Sequence, residues 1–197
     1  MRAAAAIGLT VTTGRAVVAV LRGSSDSPEM VVRFEIQLSD PWLSESSHPY
    51  HLELGGRSAE GERARVRGCK AARAAVRRAI RRLVTDMRAH GLEPRGAAIV
   101  TRRLVDPARV TGAHARAHAE ERNLYRAAVE AAIAECGVAV TTLEEKRVRA
   151  AAAATLERSA KQLDAMLKVF VRKVGTPWRA PEKHAALAAW LSLPPEV

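Results

Sequence analysis

The sequence is poor in cysteine and aromatic residues and has no long apolar run. Its 197 residues include two cysteines and 4% aromatic residues. Cys69 and Cys136 both lie in alanine-rich, helix-like stretches, which is typical of buried free thiols in a reducing compartment. A chain of this length can bury a sizeable core without disulfides or metal. No apolar stretch approaches the roughly 20 residues of a membrane span, so we expect a cytoplasmic protein that does not enter membranes.

Short motifs that mark common enzymes are also absent. The sequence contains no Gly-x-Ser-x-Gly, Walker loop, Cys-x-x-Cys or dinucleotide-binding fingerprint. The first apolar segment, residues 6–14, contains no acidic residue. Because aromatic side chains are few, base stacking on an exposed sheet is poorly supported. We therefore predict no cofactor and no bound metal, and of the two possibilities left open, an enzyme or a non-enzyme, we favour the second.

The sequence is rich in basic charge, which is concentrated in its middle. The net charge is +11, yet residues 1–56 carry four basic and six acidic residues. Residues 57–103 carry fourteen basic and four acidic residues, and residues 104–197 carry fourteen basic and eleven acidic ones. Such a concentrated excess creates a directional field that attracts polyanions.

Alternating apolar residues predict five β-strands. Residues 7–21 have the pattern of a hairpin around Gly14, which is able to adopt the positive φ of a tight turn. Further strands are predicted over residues 30–38, 96–104 and 138–143. The first three strands are consecutive and are expected to form an antiparallel meander.

Apolar residues at three- and four-residue spacing predict four helices. They cover residues 68–90, 114–136, 149–174 and 181–193. The resulting order βββαβαβαα indicates an α/β fold with a five-stranded mixed sheet and helices on both faces. We expect a single domain over residues 1–197.

Residues 39–62 show no periodic pattern and are predicted to form a mobile loop. Long loops inside compact domains are often functional. This one contains Trp42, Tyr50, His48 and His51, which would be able to contact a ligand or partner. The interpretation that we favour is a surface flap.

The order of elements resembles that of the ribonuclease-H-like superfamily, and within it the RuvC-like Holliday junction resolvases. The resemblance covers most of the chain, including the first hairpin, the strands around residues 97–100 and 138–143, a long lysine-bearing helix and the closing helix at residues 182–189. It rests on element order, spacing and apolar character. It therefore implies a fold rather than an activity.

RuvC-like enzymes hold two metal ions with carboxylates, which supply the negative oxygen ligands that hard cations need. The resemblance places Thr10 at the first aspartate position and Val100 or Thr101 at the glutamate position. It places His184 and Leu187 at the last pair, where some family members also use histidine. Three of the four ligands would then be neutral or apolar, which implies a nuclease scaffold without its catalytic metal.

A different alignment would bring other acids to this site. The candidates are Glu35, Asp40, Glu144 and Glu145, whose simplest interpretation is surface charge. If they bind metal, the protein is a divergent metal-dependent nuclease with relocated ligands.

Two histidines on the second predicted helix permit a different kind of metal site. His114 and His118 are four residues apart and Glu121 follows three residues later, so all three share one helix face. Such groups beside alanine and arginine usually form a solvated face, which is the interpretation that we favour. His48 and His51 would join them only through folding of the loop.

The first predicted helix carries a basic stripe, and the third carries a weaker one. Such stripes are able to follow a phosphate backbone, with an affinity that depends on salt. The predicted nucleic-acid-binding residues are Lys70, Arg73, Arg77, Arg78, Arg81, Arg82, Lys161, Lys168 and Arg172.

The sequence therefore predicts a catalytically inactive RuvC-like protein that binds structured or double-stranded nucleic acid through its basic helix. The alternative is a homodimeric or hetero-oligomeric scaffold whose basic face meets an acidic protein partner.

Overall fold

The computed structural model describes residues 2–54 and 58–196 of the chain. Its centre is a five-stranded sheet in the order β3-β2-β1-β4-β5. The first three strands are antiparallel neighbours, whereas β4 runs parallel to β1 and β5 runs parallel to β4. The mixed sheet predicted from the sequence is thus confirmed. The strands are β1 (Ala3–Thr12), β2 (Arg15–Gly23), β3 (Pro28–Gln37), β4 (Leu92–Thr101) and β5 (Ala139–Glu144).

Helices cover both faces of the sheet, as predicted. One face packs against α1 (Ala59–Ala89) and α2 (Ala113–Glu135), and the other packs against α3 (Val148–Thr155), α4 (Ala160–Val174) and α5 (Ala180–Leu191). None of the described helices is long and apolar enough to cross a membrane.

Strand β1 shows how alternation divides the core between these two faces. Ile7 and Leu9 are buried in the cluster formed with α1 and α2, whereas Ala6 belongs to the cluster formed with α3, α4 and α5. Gly8 is also on the α5 face, where a Cβ atom would lie 1.8 Å from the carbonyl oxygen of Ala185. Helix α5 therefore packs directly on the β1 backbone, which only glycine permits at this contact.

The predicted loop at residues 39–62 is wrong over much of its length. Residues Ser44–Ser46 and Pro49–Glu53 form short 3-10 helices that pack against α1, and α1 itself begins at Ala59 instead of residue 68. The Ser58 side chain accepts a hydrogen bond from the Gly61 amide and caps this helix. The first turns of α1 are mostly charged and lack an apolar stripe, so periodicity alone missed them. The predicted loop also includes residues 55–57, which lie outside the described residues.

The predicted helix over residues 149–174 is two helices. Glu157 adopts a left-handed conformation with φ 51°, which ends the α3 segment. Helix α4 then starts with a capping box, in which Ser159 and Gln162 bond to each other's backbone amides. Because Leu156 and Leu163 are both buried, the apolar spacing continues across the break and gave no sign of it.

Both cysteines are free, as predicted. Cys69 is buried on the core face of α1, and burial raises the pKa of its thiol. Cys136 is half-buried at the end of α2. Helix α1 therefore presents Cys69 as a packing residue instead of a reactive thiol.

Candidate functional site

Thr10 and Val100 lie side by side near the carboxyl ends of the two central parallel strands. Val100 is fully buried in the same apolar cluster as Leu187 of α5. The Thr10 hydroxyl donates a hydrogen bond of 2.8 Å to the carbonyl oxygen of Pro181, three residues before His184. The positions that the resemblance assigned to metal ligands thus meet along the β1–β4–α5 contact, where Thr10, Val100 and Leu187 offer no carboxylate.

Thr101 lies on the other face of β4. Side chains alternate along a strand, so Val100 shares the α5 face with Thr10 while Thr101 lies on the face covered by α1 and α2. The side chain of Thr101 is buried, and its carbonyl oxygen accepts the amide of Glu145. Of the two residues left open by the sequence, Val100 therefore occupies the row that contains Thr10.

His184 faces an acid that follows β5. Its Nδ1 atom lies 3.6 Å from Oε1 of Glu145 and has no hydrogen-bond partner among the described residues. Burial lowers the pKa of His184, and the Glu145 carboxylate partly opposes that shift. The histidine that the resemblance assigned to a ligand position thus lies beside Glu145, one of the candidate relocated acids.

Glu144 is held by groups near the end of β4 and β5. Its Oε1 atom accepts the Leu104 amide at 3.2 Å, and its Oε2 atom lies 3.3 Å from Nζ of Lys146. The hydrogen bond from Leu104, assisted by Lys146, lowers the pKa of Glu144. This carboxylate is therefore ionised at neutral pH and already balanced by its neighbours.

The other two candidate acids lie apart from this region. Glu35 is on β3, two strands and roughly 10 Å from β1, and pairs with Arg15. Asp40 contacts Arg78 of α1 at 2.9 Å. Among the residues described, no set of three carboxylates comes close enough to share a metal ion.

The basic side chains of α1 are exposed, but most have acidic neighbours. Arg77 and Arg81 both contact Glu135 at the end of α2, at 2.8 and 3.4 Å. Arg78 contacts Asp40, and Arg82 contacts Asp86. Lys70 and Arg73 form no ion pair with any residue that the structure describes. The stripe is therefore less positive than the sequence alone indicated.

These side chains form two rows along α1. Arg73 and Arg77 line a small groove against α2. The second row contains Arg78 and Arg82, which border an apolar groove of about 1030 Å³ between α1 and β3. It is rotated about 100° around the helix axis from Arg77 and Arg81. Periodicity on the helix could not reveal this groove, because its other wall is the distant strand β3.

The second predicted stripe does not extend the first. Lys161, Lys168 and Arg172 are exposed on α4, which packs on the opposite face of the sheet from α1. A single straight duplex lying along α1 would therefore not reach them. The nine predicted nucleic-acid-binding residues divide into two separate surfaces.

The structure gathers three histidines at the start of α2. His51, in the 3-10 turn Pro49–Glu53, joins His114 and His118, and one ring nitrogen of each lies within 4.8 Å of the others. Burial and the nearby rings of His51 and His114 lower the pKa of His118. The four-residue spacing of His114 and His118 predicted that these two side chains share one face of α2. The approach of His51 could not be predicted, because it depends on the fold of residues 39–54.

The fold is similar to that of RuvC from Thermus thermophilus. A structure of this RuvC in complex with a Holliday junction substrate matches with a TM-score of 0.53 at 13% identity, covering 95% of this chain and 90% of that chain. A second RuvC structure from this organism matches with a TM-score of 0.53 at 12% identity, covering 95% and 92%. No protein-family model and no curated protein matches the sequence. The chain therefore has a ribonuclease-H-like, RuvC-like fold.

Proposed function

We propose that this protein is a catalytically inactive member of the RuvC-like fold that binds structured or double-stranded nucleic acid through α1. The observation that carries the proposal is the exposed basic face of α1 on a fold shared with a RuvC described in complex with a Holliday junction. Its residues are Lys70, Arg73, Arg77, Arg78, Arg81 and Arg82, all of which are exposed.

The side chains at the positions that the resemblance assigned to metal ligands support inactivity. Two-metal cleavage needs anionic ligands that hold both cations beside the scissile phosphate. Val100 and Leu187 are apolar and buried, and the Thr10 hydroxyl already donates to Pro181. Glu144 and Glu145 are the nearest candidate acids, but their contacts are with Lys146 and His184.

The acidic neighbours of α1 do not prevent binding of a polyanion. Exposed ion pairs contribute at most about 1 kcal/mol each, and arginine forms stronger, bidentate contacts with phosphate. Arg77, Arg78 and Arg81 are therefore able to exchange Glu135 and Asp40 for phosphate oxygens. The α4 residues Lys161, Lys168 and Arg172 would contact a second segment of a branched or bent substrate.

The test is a salt titration of binding to labelled four-way junction, duplex and single-stranded probes, in DNA and in RNA. We expect binding at low salt that weakens as salt rises. The quadruple variant R77A/R78A/R81A/R82A should lower the log–log salt slope by about 3 to 4 on B-DNA, since each phosphate contact contributes about 0.9. Absence of binding at low salt, or unchanged affinity of the variant, would overturn the proposal.

A matched control removes the same charge from the other face. The variant K161A/K168A/R172A/K173A deletes four cations of α4 and leaves α1 intact. If both variants weaken duplex binding equally, net charge explains the affinity and α1 is not the binding surface.

Two other outcomes would favour the alternative functions. Cleavage of any probe with Mg²⁺ or Mn²⁺, if abolished by changing Glu144 or Glu145, would favour the nuclease with relocated ligands. Stoichiometric co-purification of an acidic protein or a stable homodimer, without nucleic acid, would favour the scaffold.

A further inference from the structure

The rings of three histidines lie close together at the start of α2. Nε2 of His118 lies 3.1 Å from Nε2 of His114, one helical turn away. The ring centroid of His51 lies 4.9 Å from that of His114 and 4.4 Å from that of His118. In a tetrahedral zinc site with Zn–N distances of about 2.0–2.1 Å, neighbouring nitrogens are about 3.3 Å apart. The rings are thus near the spacing that a shared ion needs.

A buried carboxylate lies behind these rings. Glu121 is fully buried, and its Oε1 atom lies 2.7 Å from Nδ1 of His51. Its Oε2 atom lies 3.7 Å from Nδ1 of His118 and has no hydrogen-bond partner among the described residues. Glu121 therefore holds the Nδ1 side of the His51 ring, so that Nε2 of His51 lies on the opposite side of the ring from the carboxylate. Metal-binding histidines are commonly held in this way, with a carboxylate accepting the second ring N–H.

The buried carboxyl group of Glu121 is only partly satisfied. A polar atom in the protein interior is costly without a partner, and Oε2 of Glu121 has none among the described residues. A divalent ion bound by the neighbouring imidazoles would place positive charge beside this carboxyl group.

We propose that His51, His114 and His118 bind one divalent transition-metal ion of the zinc class, with Glu121 orienting His51. Neutral imidazoles suit zinc, copper and nickel, whereas magnesium and calcium prefer oxygen ligands, so this site differs in chemistry from a RuvC-like two-metal centre. His114 is exposed, which leaves a fourth position open to water or to His48, whose ring centroid lies 5.5 Å from that of His51.

A metal ion bound by these three histidines would cross-link the segment that precedes α1 to the start of α2. His51 belongs to the 3-10 turn Pro49–Glu53, whereas His114 and His118 are in the first two turns of α2. A hydrogen bond from the Tyr125 hydroxyl to the Ser46 carbonyl oxygen also joins the segment before α1 to α2. Metal binding would therefore raise the thermal stability of the protein, because it joins two distant segments only in the folded state.

The test uses full-length protein without a polyhistidine tag, stripped of metal with a chelator. We expect one equivalent of Zn²⁺ to bind with a micromolar or tighter Kd in competition with a chromophoric chelator, and Co²⁺ to give the intense visible bands of tetrahedral coordination. The variant H114A should weaken Zn²⁺ binding at least tenfold, and E121Q should weaken it about 10- to 100-fold.

His90 provides the matched control, because it is exposed at the end of α1 and remote from the cluster in the fold. H90A should bind Zn²⁺ as the unaltered protein does. The exposed position of His114 makes H114A a variant that folds, which circular dichroism in chelator would verify. Absence of Zn²⁺ binding at Zn²⁺ concentrations up to about 100 μM, or equal affinities of H114A and H90A for Zn²⁺, would overturn the proposal.

Discussion

Gly8 occupies the point at which α5 comes closest to β1. A Cβ atom there would lie 1.8 Å from the Ala185 carbonyl oxygen and 2.5 Å from the Ala189 amide nitrogen. Both are backbone atoms, so the whole helix must move to admit a methyl group. We expect G8A to lower the free energy of unfolding by more than about 3 kcal/mol, which urea denaturation would measure.

Gly91 offers the comparison for that variant. Its φ is +75°, and a Cβ atom there would meet nothing within 4 Å. G91A should therefore lose only about 1 kcal/mol, from the strain of a left-handed backbone. Equal losses in G8A and G91A would show that α5 does not press on β1, and the contact that places Leu187 against Val100 would then be wrong.

His184 is a residue whose charge responds to its two neighbours. Burial lowers its pKa, Glu145 raises it and Lys183 lowers it. Because the pKa in the folded state lies below the unfolded value of about 6.5, the stability contribution of His184 is present above that pH and is lost as pH falls toward the folded value. E145Q should lower the pKa of His184 further, and K183Q should raise it. NMR titration of the imidazole protons would measure both, and shifts in the same direction would refute the assignment.

Among the elements, those with local apolar patterns were predictable from the sequence. The strands β1 to β5 alternate or form short apolar runs, and the core stripe of α1 from Cys69 to Met87 repeats at helical spacing. The start of α1 was not predictable in this way, since residues 59–67 owe their helix to capping by Ser58 and to packing against the 3-10 turns. Likewise, the histidine cluster required His51 to approach α2 across more than 60 residues of sequence, which no local pattern specifies.

The backbone is strained at Glu157, where the chain breaks between α3 and α4. Glu157 is exposed and adopts φ 51°, a conformation that costs a residue with a Cβ atom about 1–2 kcal/mol. E157G should relieve this strain and, after the entropic cost of glycine, raise the free energy of unfolding by about 0.5–1 kcal/mol. Chemical denaturation would measure the change. E157A keeps the Cβ atom and should give no such gain; if both variants behave alike, the helix does not break at Glu157.

At the scale of the whole molecule, the sheet separates the chemistry of the two faces. The basic rows of α1 and the histidine cluster belong to the side covered by α1 and α2. Thr10, Val100 and Leu187 belong to the side covered by α5, together with the basic residues of α4. Substitutions at Thr10, Val100 or Leu187 on one side would therefore leave the basic surface of α1 on the other side unaffected.

The acidic neighbours of α1 oppose the binding of a polyanion, if α1 binds nucleic acid as proposed. Glu135 contacts both Arg77 and Arg81, so E135Q would release two cations of α1 at once. An exposed ion pair is worth up to about 1 kcal/mol, so we expect E135Q to tighten duplex binding about two- to fivefold at low salt. The gain in affinity should shrink as added salt screens the arginines.

Fluorescence anisotropy would compare the affinity of E135Q for duplex with that of E130Q. The E130Q variant makes the same charge change beside Arg126 of α2 and frees no cation of α1. An equal gain in E130Q would mean that only net charge matters, and an unchanged affinity in E135Q would mean that Arg77 and Arg81 do not contact the phosphates.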